Sequence, residues 1–348
     1  MFNGEPLNSG AAKQALGLHR SLYQNNSSIK YYSIDIKKIK TTPVERLDIF
    51  QKRFDLSGKL LLKILQVMRL ALELLLNNST NYYVVSFNKV TLLPILLLTL
   101  FRKSVVVKMT QSNFDDPSAF EKTIFRRYVW GKIVRRVSTW IAITPGMVDP
   151  KYKNIKYIPN YVSFPKHELK KSVTPIYLCV GVICERKQNI EVLKFWERNF
   201  GKKNTVDAAP KLIFAGSIED NFSEYNKSYV DSFCSLASSF ENVDVLGHLD
   251  DLSTLYEHAT HYVSFSQIEG LSNALLEAIA NELYPVVWDA NKNILPPELY
   301  QFGHFFENSQ KIDLSTINLK NTQKMKKLAK YYFSFSKVSG KYRNLYDL

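Results

Sequence analysis

Short runs of branched and aromatic residues alternate along the chain with longer segments whose apolar residues recur at helical spacing. Runs of the first kind predict buried strands, and segments of the second kind predict helices packed on a sheet. This alternation is typical of α/β domains with parallel sheets. The predicted strands are Ile29–Ile34, Tyr82–Phe87, Ser104–Met109, Thr139–Thr144, Ile155–Ile158, Ile176–Val180, Lys211–Ala215, Val243–Leu246, Tyr262–Phe265 and Val286–Trp288.

Two strongly apolar segments lie between the early strands. Leu60–Leu76 is interrupted by Lys63, Arg69 and Glu73, and its spacing predicts an amphipathic helix that is buried or interfacial. The leucine-rich Val90–Phe101 is shorter than the roughly 20 residues needed to span a bilayer. We expect both to be helices packed on a sheet, one of them able to touch lipid, and we do not expect an integral membrane protein.

The length of 348 residues is sufficient for two domains. The boundary is predicted near Pro159 to Pro175, where the lysine-rich Lys166–Ser172 reads as a linker. The predicted domains are therefore residues 1–165 and 166–320, followed by a partly helical tail over residues 321–348.

Composition indicates a folded protein, because 45% of the residues are hydrophobic and 13% are aromatic. Cys179, Cys184 and Cys234 form neither a metal pattern nor a disulfide framework, and the first two are predicted to be buried thiols. A reducing cytoplasm fits this usage. Met1–Glu5 is neither basic nor followed by an apolar core, so no signal peptide is expected.

The net charge of +14 indicates an anionic partner. Nucleic acid, anionic lipid and a nucleotide-sugar all have the required charge. The basic residues are dispersed and no nucleic-acid motif is visible, so nucleic acid is not the expected partner. The richest basic segment, Lys122–Arg136, predicts a basic amphipathic helix, which suits either a membrane surface or an ordinary solvated face.

The segment Ser264–Ala278, followed by the strand residues Tyr284–Val287, reads as strand, glycine turn, helix and strand. Ser272 or Asn273 is placed to cap the helix. Backbone N–H groups at a helix start favour a phosphate, and Glu269 and Glu277 can accept hydrogen bonds from sugar hydroxyls. The pattern alone leaves open a surface helix with two solvated glutamates.

The order Ser-x-x-Glu-Gly-x-x-Asn-x-Leu-x-Glu-Ala in this segment resembles the E-x7-E motif of retaining glycosyltransferases with the GT-B fold, especially family 4. The resemblance implies an α/β protein whose two Rossmann-like domains face a central cleft. It implies that Glu269 is the catalytic carboxylate and that Glu277 holds the ribose diol. Backbone N–H groups of Gly270, Leu271 and Ser272 would bind sugar or phosphate.

Other segments match the resembled family less closely. A small-residue loop at Gly10 would lie over the donor phosphate, although Met1–Leu7 offers almost none of the apolar strand that normally precedes it. The family's glycine-arginine…lysine segment corresponds to Gly181–Lys187, in which Val182 replaces the arginine and Arg186 is expected to supply its charge. Arg186 and Lys187 would then stabilise the leaving diphosphate without a metal ion or other cofactor. Glu282 stands where the family has a glycine.

The resemblance therefore implies a retaining glycosyltransferase that uses a nucleotide diphosphate-sugar and a glycan or lipid-linked glycan acceptor. A role in surface polysaccharide or lipopolysaccharide synthesis is expected, in the cytoplasm and at the inner face of the membrane as a peripheral protein. The N-terminal domain would bind the acceptor, the C-terminal domain would bind the donor, and the tail would pack back on the N-terminal domain. Two alternatives remain: a nucleotide-sugar epimerase or phosphorylase on the same fold, and a non-enzymatic basic protein that binds nucleic acid or membranes.

Overall fold

The computed structural model describes residues 2–3, 10–22, 30–35, 50–55, 60–77, 79, 81–88, 90–111, 115, 135–167, 169–202, 209–220, 224–267, 269–289, 293–306 and 320–346. The chain forms two compact units, one made of Met1–Asn160 with Ser339–Leu348 and the other of Tyr161–Val338. Each unit is built on one parallel sheet, which confirms the predicted α/β class.

The sheet of the first unit has the strand order β3-β2-β1-β4-β5-β6-β7. All neighbouring strands pair in parallel. Five of these strands coincide with predicted ones, whereas β1 and β3 do not. In chain order the strands are β1 Phe2–Asn3, β2 Lys30–Asp35, β3 Phe50–Asp55, β4 Asn81–Val85, β5 Ser104–Lys108, β6 Thr139–Ala142 and β7 Ile155–Tyr157.

Strand β1 is short but occupies an inner position of this sheet. Phe2 pairs with Tyr32 of β2 on one side and with Val84 of β4 on the other. An apolar run was not visible here because two residues are too few to form one. The strand is therefore present in a shortened form.

The described helices of the first unit include α1 Gly10–Leu22, α2 Leu60–Leu76 and α3 Leu92–Leu100. The bounds of α2 are those that the sequence predicts. Among the described helices, none is both long enough and apolar enough to cross a membrane. Of the predicted basic helix, residues 122–134 lie outside the described part of the chain.

The sheet of the second unit has the strand order β10-β9-β8-β11-β12-β13, again with all neighbours parallel. Its strands are β8 Ile176–Val180, β9 Lys211–Ala215, β10 Val243–Val245, β11 His261–Ser264, β12 Tyr284–Trp288 and β13 His304–Phe306. Its helices are α4 Asn189–Phe200, α5 Lys227–Ala237, α6 Ser253–His258, α7 Asn273–Ala280 and α8 Lys320–Phe333. A last helix, α9 Phe335–Tyr346, belongs to the first unit from Ser339 onward.

Aromatic side chains fill the core of the second unit. Phe195 and Trp196 of α4, Phe214 of β9 and Phe233 of α5 are fully buried. The rings of Phe214 and Phe233 pack edge to face with their centroids 4.9 Å apart. Burying a large apolar side chain contributes about 1.5–3 kcal/mol. This packing holds α4 and α5 against the strands whose carboxyl ends carry the site described below.

The turn after α7 shows why Glu282 can replace a glycine. Glu282 has a φ of 61°, the left-handed conformation that glycine takes most easily. Its carboxylate accepts a hydrogen bond from Lys326 of α8 at 2.8 Å. The same backbone turn is therefore kept, and the glutamate ties α8 to the end of α7.

The predicted linker is attached to the second unit. The ammonium of Lys171 donates to the carbonyl oxygens of Tyr256 and Ala259 at 2.9 and 2.8 Å. Burial lowers the pKa of Lys171 to about 8. The segment is therefore fixed at the C-terminal end of α6, where a cation is favourable.

The end of α9 packs within the first unit around His19 of α1. Nε2 of His19 lies 3.3 Å from the hydroxyl of Tyr346, and its ring lies 4.3 Å from that of Tyr83. The hydroxyls of Tyr83 and Tyr342 are 2.9 Å apart. His19 is thus a packed core histidine, and burial lowers its pKa to about 4.

The three cysteines are free thiols, and Cys179 and Cys184 are buried as predicted. Burial raises the pKa of Cys179 to about 12 and also raises that of Cys184. These two thiols are therefore protonated at neutral pH.

Candidate functional site

Loops that follow three strands meet at the carboxyl edge of the second sheet. The N–H of Gly181 donates to the carbonyl of Ala215 at 3.0 Å, and the N–H of Gly216 donates to that of Gly247 at 2.8 Å. A Cβ atom on Gly216 would lie 1.9 Å from the carbonyl oxygen of Gly181. Glycine at position 216 therefore lets the loops after β8 and β9 touch through their backbones.

The loop after β8 ends in a short 3-10 turn, Glu185–Lys187, which leads into α4. Gln188 joins the turn to the helix in the left-handed conformation, with a φ of 53°. The carbonyl of Arg186 accepts a hydrogen bond from the N–H of Gln267 at 3.1 Å. The turn that carries the two candidate cations is therefore tied to the loop after β11, which carries Glu269.

Arg186, Lys187 and Glu269 form one ion cluster. The ammonium of Lys187 contacts Oε1 of Glu269, and Nη1 of Arg186 lies 3.5 Å from the same oxygen. The side chains of Lys187 and Glu269 are only 14% and 15% exposed. Charges in such a partly buried place interact more strongly than charges on an open surface. The structure thus brings together the two cations and the carboxylate that the sequence motifs single out.

Glu224 is a fourth member of this cluster and was not singled out from the sequence. Its Oε1 and Oε2 accept hydrogen bonds from Nε and Nη2 of Arg186 at 2.7 and 2.8 Å. Burial alone would lower the pKa of Arg186, but the hydrogen bonds to Glu224 and the charge of Glu269 raise it overall. The bonds from Arg186 hold the pKa of Glu224 below its usual range.

Helix α7 begins directly after this cluster, with Ser272 at the N-cap position. Within the described residues, the Ser272 side chain makes no capping hydrogen bond to the helix. Leu271, in the turn before the helix, is buried. A helix start carries a partial positive charge. Together with Arg186 and Lys187, it suits a ligand with several negative charges.

A small cavity lies beside the start of α7. Tyr262, Ser264, Glu269 and Ser272 are among the residues that line it, and its volume is about 10 Å³. This is room for about one water molecule. A sugar ring does not fit within this volume.

Glu277 lies one turn inside α7 and is half-buried. The hydroxyl of the buried Tyr256, on α6, donates to Oε2 of Glu277 at 3.0 Å and lies 3.3 Å from the carbonyl of Ala274. Tyr256 fixes the orientation of this carboxylate. The sequence did not point to it, because nothing in the α6 segment distinguishes this tyrosine from a core residue.

The remaining predicted donor-binding residue, Gly10, is the first residue of α1 and belongs to the first unit. Gly270 is buried in the turn between Glu269 and α7. Among the described residues, no group of three or more His, Cys, Asp or Glu side chains is arranged to hold a metal ion.

Two parallel sheets with this order, and a glycine turn and helix at the carboxyl edge of the second, define the GT-B class of α/β proteins. Residues 174–306 match the family described as Glycosyl transferases group 1. This segment is therefore similar to glycosyltransferase group 1 domains, and the predicted α/β fold of the GT-B type is confirmed. Comparison with curated proteins gives no significant match.

Several solved structures share the fold over the whole chain. HepE of Anabaena in complex with UDP-glucose is 14% identical, with a TM-score of 0.73 over 100% of this chain and 99% of that chain. A glycosyltransferase of Rickettsia africae is 13% identical, with a TM-score of 0.70 over 99% and 97% of the two chains. The lipopolysaccharide outer core galactosyltransferase WaaB is 12% identical, with a TM-score of 0.65 over 99% and 98%. At these identities the likeness shows the fold.

Proposed function

We propose that the protein is a retaining glycosyltransferase that moves a sugar from a nucleotide diphosphate donor to an acceptor hydroxyl. The observation that carries this proposal is the cluster of Arg186, Lys187 and Glu269 in front of the start of α7. Such a cluster offers positive charge to a diphosphate and a carboxylate to the sugar next to it.

In this mechanism the leaving diphosphate is stabilised by protein charge. Arg186 and Lys187 neutralise the negative charge that develops as the bond to the sugar breaks, together with the N–H groups at the start of α7. The proposed mechanism therefore requires no metal ion. Both cations pair with Glu269 in the structure, and a bound diphosphate would compete for them.

The two glutamates would hold the two ends of the donor. Glu269 would accept hydrogen bonds from the sugar hydroxyls and stabilise the reacting ring, and Glu277 would accept those of the ribose diol. A hydrogen bond to a charged group contributes about 1.5–3 kcal/mol. The contact from Tyr256 supports the second assignment, because it fixes one oxygen of Glu277.

Uracil is the first donor base to test, because HepE has been crystallised with UDP and with UDP-glucose. The proposed acceptor is a glycan or lipid-linked glycan in surface polysaccharide synthesis. The likeness to WaaB, a lipopolysaccharide galactosyltransferase, is consistent with this acceptor class.

We place the protein in the cytoplasm at the inner face of the membrane. On one face of α2, Ile64, Leu65, Met68, Leu72 and Leu76 are between 47% and 83% exposed. Leu100 and Phe101, at the end of α3, are also exposed, and Leu100 lines a cavity of about 580 Å³ together with Arg102, Lys103 and Arg136. Apolar side chains beside cations suit an anionic lipid surface.

The donor site is tested with a melting-temperature screen against UDP, GDP and their sugars, followed by product analysis. A ligand that binds the folded state raises its melting temperature. Glu269→Ala and Lys187→Ala are each expected to lower transfer at least about tenfold with folding intact, because each removes an interaction of about 1.5–3 kcal/mol.

The matched control for these variants is Glu191→Ala, which removes one member of the exposed pair Glu191–Lys194 on α4. Its activity should equal that of the wild type, since exposed ion pairs contribute little.

Wild-type turnover in both Glu269→Ala and Lys187→Ala would reject the proposed donor site. Conversion of the donor without an acceptor would indicate an epimerase. Salt-sensitive binding of nucleic acid without any response to nucleotide diphosphates would indicate a basic binding protein.

A further inference from the structure

Arg186 lies at the end of the loop that follows β8, five residues after Gly181. The position directly after Gly181 is Val182, so the cation comes from the end of the loop and not from its beginning. The backbone of Arg186 is fixed through its carbonyl, which accepts from Gln267. Its long side chain still has several rotatable bonds, and an arginine needs a planar partner to hold one orientation.

Glu224 supplies that partner. The carboxylate faces the guanidinium with two nearly parallel hydrogen bonds of 2.7 and 2.8 Å, to Nε and Nη2. Such paired bonds fix the plane and the direction of the guanidinium. The third nitrogen, Nη1, then points to Glu269, 3.5 Å from its Oε1.

The start of α5, which follows Glu224 in the chain, is held near the turn of Arg186 by further contacts. Two residues further on, the amide of Asn226 donates to Oε1 of Glu185 at 2.8 Å. Asn226 also caps α5, and the hydroxyl of Tyr229 in the first turn of that helix accepts from the N–H of Ile190 at 3.2 Å. The start of α5 is therefore bound to the turn that carries Arg186 at points other than the ion pair.

Within the described part of the chain, Lys187 reaches the same carboxylate without a second carboxylate partner. Its ammonium contacts Glu269 directly, and its side chain runs along Gly181, where an added Cβ would lie 3.5 Å from Cε. Packing and one short contact therefore place Lys187, whereas Arg186 depends on a second carboxylate.

We propose that Glu224 is a positioning residue, which holds Arg186 so that its Nη1 faces Glu269 and the diphosphate of a bound donor. This inference rests on the proposed function of the same site. Glu224 acts through Arg186 and does not itself touch the donor. Its charge also balances one of the two cations, so that the cluster does not carry excess positive charge before a donor binds.

The test is a double-mutant cycle with Glu224→Ala, Arg186→Ala and the double variant, measured as kcat/KM for the donor and as the melting shift with UDP. Glu224→Ala is expected to lower kcat/KM about tenfold. In the Arg186→Ala background, Glu224→Ala should change kcat/KM less than about twofold, because the guanidinium that Glu224 positions is absent. Glu224→Gln, which keeps the shape and one acceptor oxygen, should lie between Glu224→Ala and the wild type.

Asp244→Ala is the matched control, since it removes a carboxylate of similar exposure that pairs with Lys211 at 2.6 Å. Its kcat/KM should equal that of the wild type. Equal losses of kcat/KM from Glu224→Ala in both backgrounds would show a role in folding and overturn the inference. Tighter UDP binding by Glu224→Ala would also overturn it, because Glu224 would then compete with the diphosphate for Arg186. If Arg186→Ala and Lys187→Ala both leave transfer unchanged, the proposed donor site itself is rejected. A failure of the Glu224 inference alone would instead leave both of these variants impaired.

Discussion

The two neighbouring cations of the site differ in what each can bind at the same time. Lys187 has one ammonium group, which contacts Glu269. Arg186 has three nitrogens in a plane, and the structure divides them between Glu224 and Glu269. A planar fork can be held on one side while it presents a donor on the other, which a lysine cannot do. The order Arg186-Lys187 therefore places a held cation beside a directly packed one.

The sequence singled out Glu269, Glu277 and Lys187 as candidates because each belongs to a short motif that is continuous in the chain. It could not find Glu224, which lies 38 residues from Arg186 and is brought to it by the packing of α5. It could not find Tyr256 for the same reason, since the tyrosine reaches Glu277 from another helix. Contacts between residues that are distant in the chain leave no motif in the local sequence.

Gly216→Ala is predicted to destabilise the second unit strongly. The new Cβ would be placed 1.9 Å from the carbonyl oxygen of Gly181, and neither atom can move away without a shift of the backbone. The loops after β8 and β9 would have to separate, which breaks the hydrogen bond from Gly181 to Ala215. We expect a loss of about 1–3 kcal/mol, typical of forced overpacking, in the urea-induced unfolding of the second unit.

The matched control is Gly340→Ala in α9, where an added Cβ meets no atom within 4 Å. Alanine is favoured over glycine in a helix by up to about 1 kcal/mol, so this variant should be neutral or more stable. Equal stability of Gly216→Ala and the wild type would contradict the backbone contact between the two loops.

At the scale of elements, the sequence missed the two-residue inner strand β1 and the edge strands β3 and β13, whereas it predicted the edge strands β7 and β10. Strand β3 lies at one edge of its sheet, and four of its six residues, Gln51, Lys52, Arg53 and Asp55, are polar or charged. Strand β13, at the edge of the second sheet, has three residues. An edge strand contacts one neighbour and can be polar or short, so the apolar pattern on which the prediction depends is weak in β3 and β13.

The apolar periodicity of Leu60–Leu76 predicted the bounds of α2 but left its environment open. Leu70, Ala71 and Leu74 are buried against the unit, while Leu72 and Leu76 on the opposite side are 54% and 83% exposed. Lys63, Arg69 and Glu73 interrupt the segment, but apolar residues lie on the buried side and on the exposed side. The sequence therefore could not show which apolar residues would stay exposed.

Packing of α9 on α1 is predicted to weaken in acid through His19. Burial lowers the pKa of His19 to about 4 in the folded protein, and its value in the unfolded chain is about 6.5. Between these values the unfolded chain binds a proton that the folded protein does not. The free energy of unfolding therefore falls as the pH drops from 6.5 to 4, by up to about 1.4 kcal/mol per pH unit from this histidine.

The measurement compares urea-induced unfolding at pH 7.5 and pH 5 for the wild type and for His19→Phe. The difference between the two pH values should be smaller in the variant, because its residue 19 does not titrate. His248→Gln, which replaces a 66% exposed histidine, serves as the control and should retain the wild-type difference. An unchanged difference in His19→Phe would show that His19 does not cause the acid sensitivity.

At the scale of the whole molecule, the charge of +14 is distributed along the chain and not gathered into one block. Lys187 and Arg186 account for two cations that face carboxylates. Arg102, Lys103 and Arg136 line a cavity of about 580 Å³ in the first unit, beside the exposed end of α3. Under the proposed function, the positive charge would act at two places, one suited to the diphosphate of a donor and one suited to phosphates at a lipid surface.

Membrane contact through α2 is predicted to require both apolar side chains and charge. Leu72→Glu is expected to reduce binding to vesicles of phosphatidylcholine with phosphatidylserine at least about tenfold, as measured by co-sedimentation. An exposed leucine that enters the lipid contributes free energy in proportion to its buried area, about 25 cal/mol per Å², and a new carboxylate is repelled by anionic headgroups. Transfer to a water-soluble acceptor should be unchanged, because Leu72 lies outside the proposed donor site.

Val173→Glu separates this explanation from a general effect of charge, since Val173 is fully exposed in the second unit and the substitution changes the net charge equally. If both variants lose the same amount of binding and salt abolishes what remains, the attraction is electrostatic and α2 is not the contact. If Leu72→Glu alone loses binding, and vesicles of phosphatidylcholine alone bind the wild type weakly, the apolar face of α2 and the cations beside α3 act together. The exposure of this helix would then have a physical reason, because the lipid would cover the leucines that the protein leaves uncovered.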